Sequence, residues 1–67
     1  MTPEEQELQR RVLEARARLR EGFTTAAKVD ELCRRVAAKR GQAAADQLRE
    51  DMRAQWRTRR EWLDGAG

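Results

Sequence analysis

The sequence predicts an all-α domain of two to three helices, over about residues 3–21, 25–40 and 42–63, paired as a homodimer. Three observations lead there. Strong helix formers (Ala, Arg, Glu, Leu, Gln) dominate, and β-branched residues are confined to Val12, Val29, Val36 and four threonines. Apolar residues recur at spacings of three and four, and no stretch alternates as a strand would. Finally, a chain of 67 residues buries a modest core and needs reinforcement. One cysteine, Cys33, and no histidine leave neither a disulfide nor a zinc ligand set to supply it. Helix packing and a second copy remain.

The first helix opens on Thr2-Pro3-Glu4-Glu5. Thr2 suits the N-cap, Pro3 the first helical position and Glu5 the third residue of a capping box. Leu8, Val12, Ala15 and Leu19 then recur as a heptad-like seam, with Leu13 beside it. Arg16, Arg18 and Arg20 crowd the C-terminal end, where cations suit the helix dipole. Gly22 supplies a left-handed cap onto which Phe23 can fold back.

Thr24 and Thr25 are cap candidates for the second helix, whose Val29, Leu32, Cys33 and Val36 form one apolar stripe. Cys33 therefore reads as a buried structural thiol. Lys39-Arg40-Gly41 closes this helix. The third lacks an obvious N-cap, and its apolar positions are Ala44, Ala45, Leu48, Met52, Trp56 and Leu63. The apolar phase runs on across Gly41, so the second and third helices are either separate or one long helix containing a glycine. A single domain over residues 1–63 and a flexible tail over 64–67 follow.

Charged residues form 40% of the chain, a level that suits disorder, but the regular apolar spacing argues for folded helices. Five pairs stand four residues apart as solvated helix pairs: Glu7–Arg11, Arg10–Glu14, Glu14–Arg18, Glu31–Arg35 and Arg57–Glu61. The net charge of +3 falls within residues 23–41, where five basic residues meet Asp30 and Glu31. Arginine outnumbers lysine thirteen to two, a bias that GC-rich coding also produces. Acids follow Met1 where a leader peptide would carry basic residues, and no apolar run could span a bilayer. With a lone thiol, these features predict a cytoplasmic protein without a membrane role.

Catalysis is the least favoured class. There is no histidine for proton transfer and no glycine-rich phosphate loop, and Glu50 and Asp51 diverge as neighbours on a helix. No cofactor or metal is implied. A protein-interaction role fits more of the pattern. Leu8, Val12 and Leu19 of the first helix, with Leu48, Met52 and Trp56 of the third, are expected as packing and dimer surfaces. Arg57, Arg59, Arg60 and Trp62 are the expected partner-facing patch, being residue types that dominate interface hot spots. Trp62 can alternatively lie at a helix edge beneath the stem of Arg59.

The competing reading is a nucleic-acid-binding regulator using Arg34, Arg35, Lys39 and Arg40 with the arginines of the third helix. A helix-turn-helix about Gly41 would serve it. However, the recognition helix would then present Asp46, Glu50 and Asp51 to phosphates, and Trp56 and Trp62 stand too far around a helix to stack bases together.

The stretch from Val36 to Trp56, with Lys39-Arg40-Gly41, Ala44 and Leu48, resembles a group of small helical proteins encoded by bacteriophages and prophages. It covers about a third of the chain. The resemblance implies a protein that binds a host protein and blocks it. Candidate targets are transcription or quorum-sensing regulators, pilus-assembly motors and CRISPR surveillance complexes. No functional residues follow from it.

Overall fold

A computed structural model describes residues 2–64. Three helices, α1 (Pro3–Arg20), α2 (Ala26–Arg40) and α3 (Gln42–Arg57), are followed by a π-helical turn over Arg60–Asp64. The fold is all-α, with no strand among the described residues. Asp64 closes the last turn, and the rest of the tail expected over 64–67 lies outside the described residues.

Both α1 termini form as their sequences dictate. The Thr2 hydroxyl accepts from Glu5 N at 3.2 Å, and Thr2 N donates to the Glu5 carboxylate at 3.3 Å, a complete capping box. At the other end Gly22 takes φ +107°. Phe23 N reaches Arg18 O at 3.2 Å and Gly22 N reaches Leu19 O at 3.1 Å, the paired bonds of a Schellman cap. Thr25, of the two candidates, caps α2 by accepting from Lys28 N.

Gly41 separates α2 from α3. Its φ of +95° and ψ of +160° lie in a region that residues with a Cβ essentially never occupy. The continuous apolar phase therefore spans two helices that fold back on each other. Gly41 N bonds Ala37 O, Ala45 N bonds Gly41 O, and no side chain caps α3.

Most interhelical contact runs through α3, which packs against both α1 and α2. Cross-links give the directions. Arg11 meets Asp51 and Arg16 meets Gln55, so α1 runs parallel to α3. Asp30 meets Arg49 and Cys33 meets Ala45 O, so α2 runs antiparallel to it. The core holds Ala15 and Leu19 from α1, Leu32, Cys33 and Val36 from α2, Ala45, Leu48 and Met52 from α3, and Trp62. Phe23, Val29, Ala37, Ala44 and Leu63 pack around it half-buried. Cys33 is buried, as its place in the stripe of α2 predicts.

The expected third helix over 42–63 stops at Arg57. Trp62 Nε1 donates to Gln55 O at 3.1 Å. A straight α-helix would carry residue 62 roughly 10 Å along the axis from residue 55. The break at Thr58 shortens that path and turns Trp62 back onto the body.

Among the described residues one of the five anticipated i,i+4 pairs forms, Glu31–Arg35. Other carboxylates and guanidiniums find partners elsewhere. Arg11 makes two parallel bonds to Asp51 (3.0 and 2.8 Å), Glu14 pairs with Arg40, and Arg18 pairs with Glu21. The Arg11 bonds, with a further bond from Gln47, hold the Asp51 carboxyl below its ordinary value of 3.8.

Gly41→Ala should destabilise the fold by about 1–3 kcal/mol in urea unfolding, because a residue with a Cβ must either adopt the strained conformation or rebuild the reversal. A second expectation concerns pH. Because the Asp51 value is lowered on folding, its stabilisation is complete above the unfolded value and is lost as pH falls through the folded one. Asp51→Asn should therefore unfold at lower urea than wild type at neutral pH. The gap should narrow by about pH 3.

Candidate interaction surface

The two tryptophans exchange the places expected of them. Trp62, expected on the partner-facing patch, is 8% exposed and belongs to the core. Trp56, expected as a packing anchor beside Leu48 and Met52, is 37% exposed. The reason is rotational. Steps of four residues advance about 40° around an α-helix. The row from Leu48 through Met52 thus drifts by about 80° before it reaches Trp56. Trp56 arrives on the flank facing the start of α2, where it borders a shallow groove with Thr25, Val29, Arg49 and Arg53.

Arg59 lies over the Trp56 ring at 4.3 Å, and its Nη1 donates to Trp56 O at 3.0 Å. The guanidinium covers Trp56 rather than Trp62, and it fixes one face of the exposed ring. Arg57 and Arg60 are exposed close by in sequence. The structure thus places Arg59 on the exposed Trp56 and not on Trp62.

Trp62 is enclosed by residues outside the expected patch, among them two arginines expected only to suit the α1 dipole. The Arg16 and Arg20 guanidiniums sit over its ring at 5.2 and 5.3 Å. Arg16 Nε donates to Gln55 Oε1 at 2.9 Å, while Gln55 O accepts from Thr58 N, the Thr58 hydroxyl and Trp62 Nε1. One signal was available. Arg16 and Arg20 stand four apart on α1, a like-charge spacing that costs stability on a solvated helix. A shared aromatic ring between them offsets that cost.

Charge is segregated in space differently from its distribution along the chain. The parallel run of α1 and α3 gathers residues 15–22 and 53–64 at one end. Those segments hold seven arginines and three carboxylates, +4, so the rest of the chain carries −1. Within residues 23–41 Arg35 pairs with Glu31 and Arg40 with Glu14, while Asp30 pairs outward with Arg49, so the local excess of +3 stays in place. Of the four cations considered for nucleic acid there, Arg34 and Lys39 are exposed and Arg35 and Arg40 are paired. The Arg49 guanidinium, beside the Cys33 thiol and paired with Asp30 at 3.0 Å, is held above its ordinary value.

The α1 seam divides into two halves. Leu19 is buried with Leu48 and Met52, so these three serve packing within the chain. Val12 is half-buried, and Leu8 and Leu13 stand 54% and 56% exposed. No helix is long and apolar enough to cross a membrane among the described residues.

Residues 2–59 match the model of a family described as Family of unknown function (DUF7696), and the chain belongs to that family. No curated protein and no solved structure matches the chain. The matched region contains Trp56 and ends before Trp62.

Trp62→Ala should destabilise the fold by about 3 kcal/mol, the cost of truncating a buried aromatic. Equilibrium urea unfolding of the variant checks this; an unchanged midpoint would contradict the docking of the π-helical turn.

Proposed function

We propose that this protein is a small cytoplasmic helical binding module that self-associates through α1 and grips a partner protein through its arginine-rich end, blocking the partner's action. The observation that carries the reading is Trp56, large, exposed and held by Arg59 beside Arg57 and Arg60. Tryptophan and arginine are the residues on which interface energy concentrates. A ring already fixed by a guanidinium also loses little freedom on docking. Because Leu19, Leu48 and Met52 are used inside the chain, the self-association surface narrows to Leu8 and Val12 with Leu13.

The resemblance of the Val36–Trp56 stretch to small phage and prophage proteins supports a bacterial host protein as the target. The classes to examine first are transcription and quorum-sensing regulators, pilus motors and CRISPR complexes. The nucleic-acid reading draws less support. Arg59 already occupies one face of the Trp56 ring, and two of the four cations assigned to that reading are paired with carboxylates.

Capture of a partner from bacterial lysate by the tagged protein, with and without nuclease, tests the proposal. A stoichiometric protein band should survive nuclease and bind Trp56→Ala at least about tenfold more weakly, about 1.4 kcal/mol. The far-UV circular dichroism of that variant should be unchanged. Bands that vanish with nuclease, or wild-type binding by the variant, would overturn it.

A further inference from the structure

Resting on the self-association proposed above, we infer that α1 pairs with α1 of a second copy in antiparallel orientation, about a two-fold axis between Arg10 and Arg11. Residue i of one chain then faces residue 21 − i of the other.

One strip of the helix surface is suited to this. Glu5, Leu8, Gln9, Val12, Leu13 and Arg16 fall within about 140° of the α1 circumference at 3.6 residues per turn. None of the six is buried, and the strip contains both large exposed apolar residues of α1. It reads acidic at one end, apolar in the middle and basic at the other. In the antiparallel register Leu8 faces Leu13 of the second copy, Gln9 faces Val12, and Glu5 faces Arg16. Each contact occurs twice, as an isologous interface demands. A parallel pair would instead set Glu5 against Glu5 and Arg16 against Arg16.

The opposite flank of α1 supports the same register. Glu7, Arg10, Arg11 and Glu14 occupy an arc of about 100° centred on the far side. In this register they would oppose like charges, Glu7 with Glu14 and Arg10 with Arg11, but they point away from the contact. Arg11 and Glu14 are instead engaged within the chain, by Asp51 and Arg40. The ends of the strip keep donors and acceptors for a second copy. Gln55 takes the Nε donor of Arg16, and Thr2 N takes one carboxylate oxygen of Glu5. Antiparallel α1 dipoles add a favourable term.

Sedimentation equilibrium and directed cross-linking test this. In a Cys33→Ala background, Leu8→Cys and Leu13→Cys chains, one of them tagged, are mixed and oxidised. The expected product is the mixed disulfide, with little coupling of either variant to itself. Positions 8 and 8 of opposed chains are offset by roughly 7 Å along the axis, too far for a disulfide. Leu13→Glu should weaken the dimer at least about tenfold without loss of helix content. Self-coupling of Leu8→Cys would establish a parallel pair and overturn the inference. A dimer without the mixed disulfide would overturn this geometry while leaving self-association standing. A wild-type chain that sediments as a monomer throughout would overturn both, and neither result bears on partner capture through Trp56.

Discussion

One stripe on α3 has to serve two neighbours, and the rest of the fold depends on how it does so. Ala45, Leu48 and Met52 are almost fully buried because α2 packs on one side of the row and α1 on the other. Ala45 lets α2 approach until the Cys33 thiol meets its carbonyl. Leu48 and Met52 fill the space beyond. With most contact routed through α3, the placement of α1 relies on its bonds to that helix. The Arg11–Asp51 and Arg16–Gln55 links therefore act as registration contacts between parallel helices.

The same geometry accounts for the tryptophans. A row of every fourth residue drifts around a helix, so it cannot stay in one core for more than about three positions unless the helices coil around each other. Trp56, the fourth residue counted from Ala44 along that row, leaves the core on the α2 side. The space it would have filled between α1 and the end of α3 is taken by Trp62, delivered from beyond the helix by the break at Thr58. A buried tryptophan covered by two guanidiniums and an exposed one covered by a third are two outcomes of one chemical preference. Arginine supplies both a methylene stem for apolar cover and a flat cation for the ring.

The charges show how tertiary contacts override local ones. A solvated i,i+4 pair contributes a few tenths of a kcal/mol, which is easily surrendered. A two-bond guanidinium–carboxylate fork with a partner 14% exposed is stronger and geometrically exacting. Arg11 accordingly bonds Asp51, and Glu14 reaches across to Arg40. Glu31 and Arg35 keep their local pair on the exposed face of α2.

By itself the sequence determined what is local. The all-α class, the Thr2 capping box, the Gly22 cap and the buried Cys33 stripe each depend on residues within a turn or two of one another. It left the Gly41 junction undecided, because a glycine costs too little to break a helix without a packing reason. Only the tertiary structure decided that break, the end of α3 at Arg57, the exchange of Trp56 and Trp62, and which arginines meet which carboxylates. These depend on distances between residues some 25–40 positions apart, such as Arg11 and Asp51 or Arg40 and Glu14. No periodicity records those distances. They are set by how closely the Ala45 row lets its neighbours approach, and by where a helix of fixed pitch then points its next side chain.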